Sequence, residues 1–193
     1  SVDNKGAVDV ATGDWAAYGG NTGRGLYIAK DETTGKKFLK LKSTGTNSSS
    51  FAVNKLDSAP EGQVIVTQDV KFYNNNSSIL FKQDNPVTWD AKDTPAEECK
   101  STSYSINFTG SELNINNSKI CEASAGEWYR IVASLDTTSK LCYAKAYDMD
   151  GQLLGSSEVV SFSGLKATAP TYYCFRTPDN AQGELDFNNV RIY

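Results

Sequence analysis

The chain has 193 residues, 39% of them hydrophobic and 22% charged, which is enough apolar material for one substantial core and too much for a disordered chain. A formal net charge of −4 argues against a nucleic-acid partner held by phosphate neutralisation, and no apolar run approaches the roughly 20 residues of a membrane-spanning helix. Histidine is absent, which excludes Ser-His-Asp and Cys-His nucleophile systems and histidine-ligated zinc.

The opening SVDNKGAVDV has neither a basic region nor an apolar core and does not read as a signal peptide. From there to Gly25 the chain is rich in Gly, Asp and Asn, and predicts a short first strand with loops around Trp15 and Tyr18. KFLKLK, residues 37 to 42, alternates cleanly, with Phe38 and Lys40 on one face and Leu39 and Leu41 on the other. A Ser/Thr/Asn loop over residues 43 to 50 leads to a strand around Phe51 and Val53. Gln63 to Tyr73 is a long run of β-formers, and the Asn/Ser stretch after it is a turn into Ile79 to Lys82. Residues 84 to 98 hold two prolines and no periodicity, so they predict a long surface loop carrying Trp89. An exposed loop Trp is costly unless it is used, which favours a ligand contact there. Tyr104 to Phe108 and Leu113 to Ile115 form a hairpin with Phe108 opposite Leu113 and Ile106 opposite Ile115.

The next segment, GEWYRIVASLDTTSKLCYAKAYD over residues 126 to 148, is the clearest hairpin of the chain. A four-residue loop, Thr137 to Lys140, closing at Asp136 and Leu141, sets Leu135 opposite Cys142, Ala133 opposite Ala144 and Ile131 opposite Ala146. That register gathers the small and aliphatic side chains on one face. The other face then carries Trp128, Arg130, Tyr143, Lys145 and Tyr147, aromatic and cationic at once. Such a face is either core, with its charges snorkelling at the edge, or a surface that stacks sugar rings and hydrogen-bonds hydroxyls. Large aromatics are more often core, and both readings are open at this level.

After Asp148 a DMDGQ turn precedes strands at Leu153 and Leu154 and at Glu158 to Phe162, then Thr171 to Arg176, with Gly183 to Tyr193 as the closing strand. About a dozen short strands without a helical pattern or internal repeat predict an all-β, antiparallel sandwich or jelly roll, taken as one unit over residues 1–193. The four cysteines lack CxxC spacing, and their even number in a loop-rich β protein predicts two disulfides and an oxidising compartment. Extending the Phe108–Leu113 register brings Cys99 within one residue of Cys121, so these two pair, and Cys142 is left for Cys174.

GEWYRIVASLD followed by a polar loop and LCYAKAYDMDGQLL resembles the paired strands of concanavalin A-like sandwich domains. The ending LDFNNVRIY resembles the last strand of jelly-roll carbohydrate-binding modules. With the opening TGDW, these pieces cover about a third of the chain. The resemblance implies a module of a secreted bacterial enzyme that degrades plant cell wall. It also implies a structural calcium ion held by an Asp of the final strand. Asn188 stands at that position, with Asp186 two residues earlier, and a neutral amide oxygen should weaken Ca²⁺ binding.

Concanavalin A-like glucanases carry a Glu-x-Asp-x-Glu or Glu-x-Asp-x-x-Glu strand. Glu184 and Asp186 resemble its first half, but Asn188 and Asn189 occupy the places of the second Glu, so the general acid is missing. Lyases of this fold generally use a His or Tyr, and only the Tyr option remains. The expectation is therefore a non-catalytic, extracellular carbohydrate-binding module that anchors an attached enzyme to plant cell wall polysaccharide. A lyase or hydrolase of the same fold is the first alternative and an extracellular adhesion module the second. Net negative charge works against polygalacturonate, although a local Arg130–Lys145 patch can override it.

Overall fold

The computed structural model describes residues 15–19, 25–43, 49–83, 102–164, 170–178 and 183–193. Trp89, Cys99 and the loop expected over residues 84 to 98 lie outside the described residues. The first half of the chain supplies β1 (Trp15–Gly19), β2 (Gly25–Lys30), β3 (Lys37–Lys42), β4 (Ser50–Lys55), β5 (Gln63–Phe72) and β6 (Ser77–Lys82). The middle supplies β7 (Thr102–Phe108), β8 (Glu112–Ile115), β9 (Ser118–Glu122), β10 (Trp128–Asp136) and β11 (Leu141–Tyr147). The last four are β12 (Leu153–Ser156), β13 (Val160–Ser161), β14 (Tyr172–Arg176) and β15 (Glu184–Ile192).

These strands form two antiparallel sheets. One is seven-stranded, in the order β1-β4-β14-β6-β7-β8-β9. The other is eight-stranded, β12-β11-β10-β5-β15-β3-β2, with β13 added beside β11. Alternation decides what lies between them. From β5 the inward residues are Val64, Val66, Gln68, Val70 and Phe72, and from β10 they are Tyr129, Ile131, Ala133 and Leu135. The opposing sheet contributes Ile79, Phe81, Tyr104, Ile106, Phe108, Tyr173 and Phe175. The inward polar residue of β5 is matched across the core, where the Tyr173 hydroxyl donates to Gln68 Oε1 at 2.9 Å. Phe175 stacks on Phe187 of β15 with ring centroids 3.9 Å apart, joining the two sheets.

Three hairpin turns share one device, an aspartate that accepts backbone N–H groups of its own turn. Asp31 Oδ1 takes the amides of Thr33 and Thr34, Asp136 Oδ1 that of Thr138, and Asp148 Oδ1 those of Asp150 and Gln152. Between β10 and β11 this produces the expected four-residue loop. Leu135 faces Cys142, Ala133 faces Ala144 and Ile131 faces Ala146, as the side-chain pattern required. The Phe108–Leu113 and Ile106–Ile115 pairs are also observed.

One strand is additional to those expected, and one expectation is overturned. β2, GLYIAK, lacks clean alternation and was not predicted; it is the edge strand paired with β3. The disulfide framework fails for reasons of strand geometry. Asn116 and Asn117 both take positive φ, 45° and 71°, and fold the chain back so that Cys121 lies opposite Leu113 of β8. Cys121 therefore does not continue the β7–β8 register toward Cys99, and it is a free thiol. Cys142 points into the core from the eight-stranded sheet. Cys174 sits between Tyr173 and Phe175, which take both inward places, so it faces away from the core, against Phe51 and Val53. The sheet containing Cys174 thus separates the two sulfurs, and both are free.

Burial raises these thiols, Cys142 and Cys174 to about 12 and Cys121 to about 11, which leaves them protonated and unreactive at neutral pH. Iodoacetamide at neutral pH should spare Cys121, Cys142 and Cys174 in the native protein and alkylate all three in denaturant without reductant. A cross-linked peptide joining Cys142 to Cys174 in non-reducing mass mapping would contradict this arrangement.

Candidate functional site

The outward face of the eight-stranded sheet takes every second residue of its strands. From β10 and β11 it receives Trp128, Arg130, Tyr143, Lys145 and Tyr147 together, because their neighbours Tyr129, Ile131, Ala133, Cys142, Ala144 and Ala146 are the buried ones. The choice left open by the sequence is thus decided against the core. β5 adds Thr67, Asp69 and Lys71, β15 adds Glu184, Asp186 and Asn188, and β3 adds Phe38, Lys40 and Lys42. Tyr73, just past β5, lies at the same end as Glu184 and Asp186.

Two carboxylates of this outward face are nearly sealed from solvent, Asp69 at 3% exposure and Asp186 at 1%. Asp69 accepts Arg130 Nε at 2.8 Å and Arg130 Nη2 at 3.1 Å, and its second oxygen also accepts the Asn189 amide at 2.6 Å. Contact with Asp69 lifts the Arg130 guanidinium above its ordinary value. Asn189 reaches Asp69 through a β-bulge. Asn188 stands opposite Asp69 and Arg191 opposite Thr67, so β15 spends one extra residue there, with Asn189 at φ 51°. The bulge also resets the alternation. Val190 and Ile192 turn toward the core, while Arg191 pairs with the outward Thr67.

Asp186 accepts the Tyr73 hydroxyl at 2.7 Å, and Lys40 Nζ stands 3.5 Å from its other oxygen while also bonding Glu184. Burial raises the Asp186 carboxyl above the ordinary carboxylate range, with Tyr73 and Lys40 pulling against it. Burial likewise raises the Tyr73 phenol, so it is a donor and not a base at neutral pH. The Lys40 and Lys71 ammoniums lie 5.3 and 5.4 Å from the Tyr73 ring centre. Above this layer the rings of Phe38 and Trp128 meet edge to face at 5.6 Å. Their strands, β3 and β10, are three strand spacings apart, about 14 Å, so the two rings close over β5 and β15.

The expected calcium pair does not fit a divalent cation. Ca²⁺ takes about six to eight oxygens, whereas Asp186 already faces an ammonium and a phenol. Asn188 is likewise engaged, its amide donating to the Lys37 carbonyl at 2.8 Å and its oxygen accepting the Asn189 N–H at 2.9 Å. Among the described residues, no group of three or more His, Cys, Asp or Glu side chains could hold a metal.

The sequence reading placed five residues on this face and missed Phe38, Lys40, Asp69, Lys71 and Tyr73 as members of it. Alternation within KFLKLK and QVIVTQDVKFY marked which of them share a face, but nothing in sequence placed β3, β5 and β10 side by side.

Neither a protein-family model nor a curated protein sequence matches the chain. Solved structures do match by fold. A seed lectin from Lotus tetragonolobus is 12% identical, with a TM-score of 0.56, over 97% of this chain and 94% of the lectin. The exoplasmic/lumenal domain of VIP36, in its Ca²⁺/Man3GlcNAc-bound form, is 8% identical with a TM-score of 0.55, over 93% of this chain and 85% of that one. The catalytic domain of a glycoside hydrolase family 131 protein from Coprinopsis cinerea is 12% identical with a TM-score of 0.53, over 87% and 76%. A sialidase, 14% identical with a TM-score of 0.56, matches 87% of this chain, which spans 17% of the sialidase's length. The class is thereby fixed at the level of fold: a legume-lectin-like, concanavalin A-like β-sandwich of the jelly-roll kind.

Arg130→Ala should destabilise the protein by about 2–4 kcal/mol, because it leaves Asp69 buried without its cation. Thermal unfolding should register this as a fall of roughly 10 °C in Tm. An unchanged Tm would mean that the ion pair contributes nothing. Asp186 predicts a pH effect of definite sign. Its folded value lies above the unfolded one, so its ionisation favours the unfolded chain, and acidification toward about pH 4 relieves that cost. The Tm of the wild type should therefore rise relative to Asp186→Asn as pH falls from neutral to about 4. A constant difference between the two proteins would refute it.

Proposed function

We propose that this protein is a non-catalytic carbohydrate-binding module whose ligand lies on the outward face of the eight-stranded sheet. The observation that carries the reading is the common orientation of Trp128, Tyr143, Tyr147 and Lys145, outside a core that is complete without them. Aromatic faces match the apolar C–H faces of sugars, and the fixed amides, carboxylates and ammoniums around them match hydroxyls. Arg130 acts indirectly, since its guanidinium is taken up by Asp69 and sets the floor of the site.

The local charge differs from that of the whole chain. Asp69 is paired by Arg130, Glu184 by Lys40 and Lys42, and Asp186 by Lys40, while Lys71 and Lys145 have no ion-pair partner among the described residues. The face therefore offers net positive charge to a ligand, and the chain's −4 is no obstacle to acidic sugars.

Hydrolysis is the second reading, favoured by Glu184 and Asp186 lying on the same face and by the family 131 neighbour. The geometry speaks against it. Asp186 is buried beneath its partners, the position after it on this face is the amide Asn188, and a glycosidase needs two carboxylates at the scissile bond. A plant cell wall target, attachment to a catalytic module and an extracellular setting complete the proposal. The match to a small part of a sialidase is consistent with a multimodular parent. The free thiols withdraw disulfides as an argument for secretion.

Affinity electrophoresis against soluble glucans, xyloglucan, mannans, xylans and pectins tests the proposal. The protein should be retarded by at least one and should release neither reducing sugar nor unsaturated product from any. Tyr147→Ala should keep its Tm and lose about tenfold in affinity. Turnover abolished by Glu184→Gln would establish the hydrolase instead, and no retardation by any polymer would end the binding reading.

A further inference from the structure

The outward face continues past the residues assigned so far, to the edge strand β2. There Tyr27 pairs with Lys40 and is 44% exposed. Its ring fills space that a side chain at Gly25 would close. Gly25, two residues earlier on the same face, has no Cβ, and one built there would stand 2.6 Å from Tyr27 Cζ and 2.7 Å from its hydroxyl. Tyr27 thus lies back over the Gly25 backbone, exposed to solvent and placed to stack.

The ladder places this ring in register with the site. Tyr27 faces Lys40, Lys40 faces Asp186, Asp186 faces Lys71 and Lys71 faces Trp128. The strands β2, β3, β15, β5 and β10 that carry them span four spacings, about 19 Å. Between the two aromatic ends, Lys40 and Glu184 are joined to each other and remain partly exposed, with side-chain exposures of 26% and 22%. They are fixed donors and acceptors for hydroxyl groups. Trp128, leaning in toward Phe38 from one end, and Tyr27 at the other, with the polar pair between them, form a track across the strands.

We propose that Tyr27 is a distal stacking platform, and that the ligand is a linear polysaccharide chain running across the strands from Trp128, over Lys40 and Glu184, to Tyr27. This rests on the carbohydrate-binding reading and adds a direction, a minimum length and a new site residue. Glu184 serves the bound chain as a hydrogen-bonding group. The competing role for Tyr27 is purely structural, shielding the glycine of an edge strand from pairing with another chain.

Chain length separates the two roles. Isothermal titration would use disaccharides and hexasaccharides derived from cellulose, xylan, mannan and pectin. The unaltered protein should bind one hexasaccharide more tightly than its disaccharide. Tyr27→Ala should lose about tenfold for the hexasaccharide and nothing for the disaccharide, while Trp128→Ala loses affinity for both. Gly25→Ala, which keeps the ring but tilts it, should weaken the hexasaccharide alone, and Tyr27→Phe should bind like the wild type. Tyr27→Ala or Gly25→Ala with a lowered Tm and full hexasaccharide affinity would overturn the platform and leave the carbohydrate-binding reading intact. Failure of the unaltered protein to bind any hexasaccharide would remove both.

Discussion

A carboxylate buried on the outside of a sheet holds this site together. Asp69 belongs by alternation to the outward face of β5, yet it is almost wholly covered, and only its bonds to Arg130 of β10 and Asn189 of β15 make that burial tolerable. The three central strands of the eight-stranded sheet are therefore tied by side chains on the outward face as well as by their backbone ladders. The Asn188–Asn189 bulge is what brings Asn189 onto Asp69. It also gives the end of β15 the opposite alternation, so that Val190 and Ile192 pack on the core and Arg191 stands outward.

The same principle repeats one row along. Asp186 is buried between Tyr73 and Lys40, and Lys40 is shared with Glu184. Phe38 and Trp128 reach toward each other over these two rows, and the buried carboxylates Asp69 and Asp186 with their partners hold the strands that aim the rings. A face built in this way is rigid before any ligand arrives, which lowers the ordering cost of binding.

The thiols show the same logic from the other side. In YYCFR the two aromatics flanking Cys174 take the inward places of β14, and the cysteine is turned outward into a small separate cluster with Phe51 and Val53. Cys142 is inward on the opposite sheet because its neighbours Leu141 and Tyr143 are the outward residues of β11. Alternation alone could have excluded their pairing. Counting the cysteines hid what the strand pattern already contained.

Local sequence determined the hairpin β10–β11 to the residue, since a polar loop of fixed length and two strands of strict alternation admit one register that gathers the apolar side chains. It also determined the β7–β8 pairs, most strand positions and the all-β class, because period-two patterning and turn residues act over a few residues only. It left undetermined whether Trp128, Arg130, Tyr143, Lys145 and Tyr147 face core or solvent, since alternation names two faces without saying which is covered. The positive φ of Asn116, Asn117 and Asn189 was not legible, although paired asparagines stand at both places. Tertiary structure decided the rest. Phe38, Asp69, Tyr73 and Tyr27 join the face only because the β2–β3 hairpin, β5, β10 and β15, distant from one another in sequence, become neighbours in one sheet. That order is set by the packing of two sheets over a shared core, which no local run of residues encodes.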